Sequence, residues 1–167
     1  MIARAAASVI IAGALLLGTS ACSFFAPQAT LIHYEPSDGT AATVGDIKAR
    51  NVIALSDDGV TANLIMTVIN EGDTRQLVTF QYTDATETAQ TASVYVGPGR
   101  TNIGYADSEE SITLAGLDIV VGSLFPVYVQ YGDEEGKSML VPVLDGTQEQ
   151  FSTLLPTPAV TSTAIPE

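Results

Sequence analysis

Tryptophan is absent, and cysteine and histidine occur once each, as Cys22 and His33. A single cysteine rules out an intramolecular disulfide, a Cys-X-X-Cys redox pair and any metal site built on two thiolates. A single histidine leaves little for Ser-His-Asp or Cys-His chemistry, which sets a base beside a nucleophile. Basic residues are scarce as well. Six Lys and Arg face 19 Asp and Glu, for a formal net charge of −13 at pH 7. So acidic a surface repels phosphate backbones and anionic lipid headgroups. No nucleic-acid partner is expected, and no basic patch draws the chain to a membrane. Long apolar runs are missing too. The charge-free stretch from Ala5 to Gly18 falls short of the ~20 residues that a membrane-spanning helix needs.

What that stretch does have is a signal-like order. Arg4 precedes it, small residues (Gly18, Thr19, Ser20, Ala21) follow it, and then comes Cys22. Small residues directly before a lone cysteine resemble a bacterial lipobox. The resemblance implies that the Cys22 sulfur receives a diacylglycerol and that the bond before it is cut. Residues 1–21 are then a lipoprotein signal peptide. The mature chain is held at the extracytoplasmic face of the bacterial cell membrane through lipidated Cys22. Thr19 stands where a lipobox usually has leucine, three positions before the cysteine. The alternative is an ordinary secretory signal that leaves a free thiol, an uncommon thing for a secreted protein to keep.

Residues 22–43 are small, polar and proline-containing, and read as a tether. Residues 156–167 are rich in Pro and Thr and read as a disordered tail. Between them, 44–155 form one domain whose pattern is β. Seven runs read as strands: Asp46–Leu55, Val60–Asn70, Gln76–Thr83, Ala92–Gly97, Ser111–Leu117, Leu124–Gly132 and Lys137–Leu144. In Val60–Asn70 both faces are apolar, with Leu64, Met66 and Val68 against Ile65 and Ile69, as in a central strand. Turn signals (SDDG, EGDT, GDEEG) separate the runs. Pro126 and Pro142 each remove a ladder donor and point to edges or bulges. "GPGR" (Gly97–Arg100) reads as a turn, and a short helix fits near "TQEQFSTLL". The fold class predicted is all-β, an antiparallel sandwich of immunoglobulin or cupredoxin type with about seven strands.

Candidate chemistry is thin. The acid pairs Asp57/Asp58, Glu109/Glu110 and Glu134/Glu135 lie in turns, where carboxylates face water. No acidic cluster follows the spacing of an EF-hand loop. No catalytic, metal or cofactor-binding residue is assigned, and the chain is read as a non-enzyme. Tyr82, Tyr95, Tyr105, Tyr128 and Tyr131 either pack on sheet faces or line a peptide or carbohydrate groove.

At "AATVGDIKARNVIAL" and "VPVLDGT" the chain resembles small actinobacterial lipoproteins of the LpqE type. The resemblance extends from about Ser37 to Pro156 and to the order of lipobox, tether, β-domain and Pro/Thr tail. Those lipoproteins are distantly similar to periplasmic copper chaperones of the PCu(A)C type, which have a cupredoxin-like sandwich and hold Cu(I) with His and Met ligands. The resemblance implies the sandwich. The ligand pattern is missing, since Met66 and Met139 have no histidine beside them and read as core residues. The expectation is a lipid-anchored cell-envelope module, non-enzymatic, that binds or scaffolds an envelope protein, peptide or glycan. A copper-handling chaperone with other ligands is the alternative.

Overall fold

The computed structural model describes residues 4–13 and 36–156. They belong to two compact units, Met1–Tyr34 and Glu35–Glu167. In the first, residues 4–13 form a helix, α1, on which Val9, Ile10 and Ile11 are exposed. Among the described residues no helix is long and apolar enough to cross a membrane. Thr19, Cys22, His33 and the Pro/Thr tail beyond Pro156 lie outside the described residues.

The second unit is all-β. Its strands are β1 (Thr40–Val44), β2 (Ile47–Leu55), β3 (Thr61–Asn70), β4 (Gln76–Thr83), β5 (Ala89–Val96), β6 (Gly99–Ile103), β7 (Thr113–Ala115), β8 (Leu124–Tyr131) and β9 (Lys137–Leu144). A one-turn helix, α2 (Glu149–Ser152), follows. The strands make one curled sheet in the order β5-β4-β8-β9-β2-β3-β6, with β1 paired to β2 and β7 to β3. The pairings are antiparallel except one. β2 and β9 run parallel over two residue pairs, Ala54 with Val143 and Leu55 with Leu144. The sheet is therefore mixed, and this short junction joins its two halves, which face each other across the main core.

That core follows from alternation along the strands. Val78 and Phe80 of β4, Val127 and Val129 of β8 and Val141 of β9 meet Leu64, Met66 and Val68 of β3. Each such side chain, fully buried, contributes about 1.5–3 kcal/mol. The outer face of β2 and β3 carries a second, smaller core of Ile53, Leu55 and Ile65, covered by Phe151 and Leu154 of the α2 region. β3 is thus buried on both faces, as its sequence requires. A bulge in β2 between Arg50 and Ile53 shifts the pairing with β3. Asn51 sits there with φ 51°, and its Oδ1 accepts from the Gly39 N–H at 3.0 Å. Beyond the bulge Val52 and Ala54 face the main core while Ile53 and Leu55 face the second.

Among the described residues nine strands stand where about seven are predicted. All of β1 except Val44 lies in the segment read as tether, so the folded unit begins before Val44. Its "TAATV" has only Ala42 and Val44 buried, too little bulk to read as a strand. β6 begins within "GPGR" and continues through residues read as loop. Both prolines have ladders limited on one side. β8 pairs with β4 only from Tyr128 onward, past Pro126. β9 meets β2 only at Val143 and Leu144, past Pro142.

Candidate functional site

β6 and β7 lie in line along β3. β6 pairs with Met66–Asn70 and β7 with Thr61–Asn63. Residues 104–112 leave this line as a loop and return to it. Gly104 makes the departure possible, with φ +77° and with space for no Cβ, which would lie 2.7 Å from the Leu64 carbonyl oxygen. The return is fixed by Leu64 N–H donating to the Ile112 carbonyl at 2.9 Å. The excursion walls off a cleft of about 570 Å³ beside β6, a size that suits a small ligand or a short chain segment.

Three parts of the chain supply its functional groups. Arg75, in the turn before β4, places its guanidinium 4.8 Å from the centre of the Tyr95 ring on β5. The Arg75 Nη2 lies 3.8 Å from Oε1 of Glu110 in the loop. Both ends of that ion pair are exposed, so it contributes little to stability, but it orients Arg75. Arg100 and Asn102 come from β6. The Asn102 Oδ1 accepts from the Thr67 hydroxyl at 3.0 Å. Asp107 and Glu109 complete the loop side. Bases therefore come from the turn before β4 and from β6, and acids from the loop. Tyr95 is 54 % exposed, an amphipathic ring open to solvent on a strand.

Comparison with protein-family models, with curated proteins and with solved structures finds no match to this chain. The site has to be read from its own chemistry.

Tyr82, Tyr131 and Tyr105 serve the fold. Tyr82 stacks edge-on to Phe125 with ring centres 6.2 Å apart, and its hydroxyl accepts from the Ala115 N–H at 3.1 Å. The Tyr131 hydroxyl accepts from the Asp46 N–H at 2.9 Å. Tyr105 packs against the second core. The acid pair Asp57/Asp58 is a turn device. Asp58 Oδ1 accepts from the N–H groups of Thr61 and Val60, which hold its pKa below the ordinary value. Asp57 accepts from the Gly146 N–H at 3.1 Å. Glu109 and Glu110 stand in the cleft loop, where the sequence pattern gave no sign of a site. No group of three or more metal-ligating side chains occurs among the described residues. Met66 is fully buried in β3 and Met139 is buried in β9, on the core faces of their strands.

A second exposed feature lies on the outer face of β8 and β9. Leu124 sits across from Pro142, and Pro126 from Leu140, with both leucines more than half exposed. Val120 and Val121 continue this apolar strip in the preceding turn.

Proposed function

We propose that the protein is a lipid-anchored module of the bacterial cell envelope that binds an envelope partner without transforming it. The order of Arg4, apolar run, small residues and Cys22 supports anchoring through a lipidated cysteine. Two acyl chains hold a protein stably on a membrane where one gives only marginal binding. The observation that carries the binding role is the cleft beside β6. Arg75, Tyr95 and Arg100 stand exposed around one space, in a chain with few bases, and Tyr95 is more than half exposed. Positioned donors and an open ring fit recognition.

Two experiments test the two halves. Cys22→Ser should release the protein from membranes on fractionation, and equal retention of both forms would end the anchoring claim. Affinity capture from envelope membranes should recover a partner whose yield falls with Arg75→Glu. A partner set indifferent to that change would remove the cleft from the binding role.

A further inference from the structure

Three consecutive residues of β6, Arg100, Thr101 and Asn102, all line the cleft. Successive side chains of a strand point to opposite faces. A space that touches all three runs along the strand's edge, not over one of its faces. β6 pairs with β3 on one side, and among the described residues no strand covers the other. Sheet proteins usually blunt such an edge with proline, lysine or other charges, a bulge or a covering loop; here Arg100 is the strand's one charge and the loop covers only its far end. The strand "GRTNI" pairs with β3 without a register shift and has no proline or lysine.

The chain itself makes a start on this edge. Ile103 forms a single parallel bridge to Glu110, and the Gly104 N–H donates to the Glu110 carbonyl at 2.9 Å. The loop thus adds one residue to the rim of the sheet at its far end and then turns away. From Gly99 to Asn102 no strand covers the rim among the described residues, and Arg100, Thr101 and Asn102 line the cleft there.

An open strand edge is a template for an extended polypeptide, with main-chain hydrogen bonds supplying affinity and flanking side chains supplying selectivity. The flanking groups are two guanidiniums, Arg75 and Arg100, set across the cleft from Asp107, Glu109 and Glu110 of the loop. Arg75 is held in place by Tyr95 and Glu110. Arg100 has no hydrogen bond or ion pair among the described residues. An unpaired guanidinium beside an open ladder favours a carboxylate, which it binds through two parallel N–H donors.

We propose that β6 accepts an extended peptide segment of about four residues as an added strand along Gly99–Asn102, with an acidic side chain of the segment on Arg100. This rests on the binding role argued above and names the class of partner for that site.

The test uses the full chain and a defined probe, the N-acetylated, C-amidated peptide Thr-Val-Glu-Val-Thr. Binding is followed by calorimetry and by amide hydrogen exchange. The peptide should slow exchange over residues 99–103 and leave β5 unaffected. Replacing its Glu by Lys, or using Arg100→Glu, should weaken binding about tenfold or more. Arg100→Glu should in turn prefer the Lys peptide, a reversal that a misfolded variant would not show. A peptide with alternate N-methylated amides should not bind, since it cannot complete the ladder. Equal binding of the N-methylated peptide, indifference to Arg100→Glu, or no binding at all would overturn the proposal. So would protection of 99–103 by maltotriose but not by the peptide, which would assign the cleft to a glycan. If no peptide binds while capture of an envelope partner still depends on Arg75, the binding role stands and strand addition falls.

Discussion

Asp84 shows how much one half-buried carboxylate does in this fold. It follows β4, and its Oδ1 accepts from the Thr86 hydroxyl and from the N–H groups of Thr86 and Thr88, while Oδ2 accepts from the Gln90 amide. Led by the Thr86 hydroxyl and then Gln90, these donors lower its pKa from 3.8 to about 2. The folded value lies below the unfolded one, so deprotonation favours the native state. The contribution is complete above the unfolded pKa and is lost as the pH falls toward 2. Urea titrations of Asp84→Asn should therefore show a flatter dependence of stability on pH between 3.8 and about 2 than the wild type. A carboxyl resonance of Asp84 that titrates near 3.8 would contradict this. Asn63 acts in the interior. Its amide donates to the carbonyls of Gly104 at 2.8 Å and Leu154 at 2.7 Å, tying the start of the cleft loop and the C-terminal segment to β3. Asn63→Leu leaves two carbonyls unsatisfied and should cost about 2–4 kcal/mol in urea denaturation. Faster hydrogen exchange in 104–112 and 151–156 should accompany it.

At the scale of the element, α2 is a single turn, too short to be stable alone. It persists because Phe151 and Leu154 bury against Ile53, Leu55 and Ile65. Phe151→Ala should cost about 3 kcal/mol, the low end for such truncations because the site lies at the margin of the domain. Binding of a hydrophobic dye should rise as the outer face of β2 and β3 is uncovered. Elements with bulky alternation were legible in the sequence: β3, β4, β8 and β9 announce themselves through Val, Ile, Phe and Tyr at every second position. β1 and β6 do not, because their inward positions are filled by Ala42, Thr101 and Ile103 among small or polar neighbours. The cleft was illegible for a different reason. Arg75, Tyr95 and Arg100 come together only through the β4–β5 pairing and the register of β6 on β3, and no local pattern encodes either. The scarcity of bases was the one usable hint, since two of the few lie at the same place.

For the whole molecule, charge and metal chemistry each give a measurable consequence. With a net charge of −13, carboxylates repel one another across the surface. Raising the ionic strength from about 0.01 to about 0.1 M shortens the screening length from about 30 to about 10 Å. The Tm at pH 7 should rise over that range, and a salt-independent or falling Tm would show that attractive pairs such as Lys48–Glu71 dominate instead. For copper, Met66 and Met139 are committed to the core. Cu(I) titration against a chelator of moderate affinity should show no stoichiometric binding by the domain. Met66→Leu and Met139→Leu should leave the curve unchanged. One equivalent bound by the wild type and lost in either variant would favour a copper-handling role.

The parallel junction of β2 and β9 has a mechanical meaning. β2 lies near the start of the folded unit and β9 near its end, and where they touch they run the same way. A pull applied at the two ends of this unit draws the strands along their shared axis in opposite senses. Hydrogen bonds at such a seam are loaded together, in shear, and do not open one after another like a zip. Two residue pairs make the seam short, so it should give way at low force. β1 and the α2 segment lie between the ends and this seam, so the seam would bear the load once they had yielded, and its rupture would part the two halves of the sheet. A chain moored at one end and gripped at the other by a partner would feel that load whenever the two moved apart.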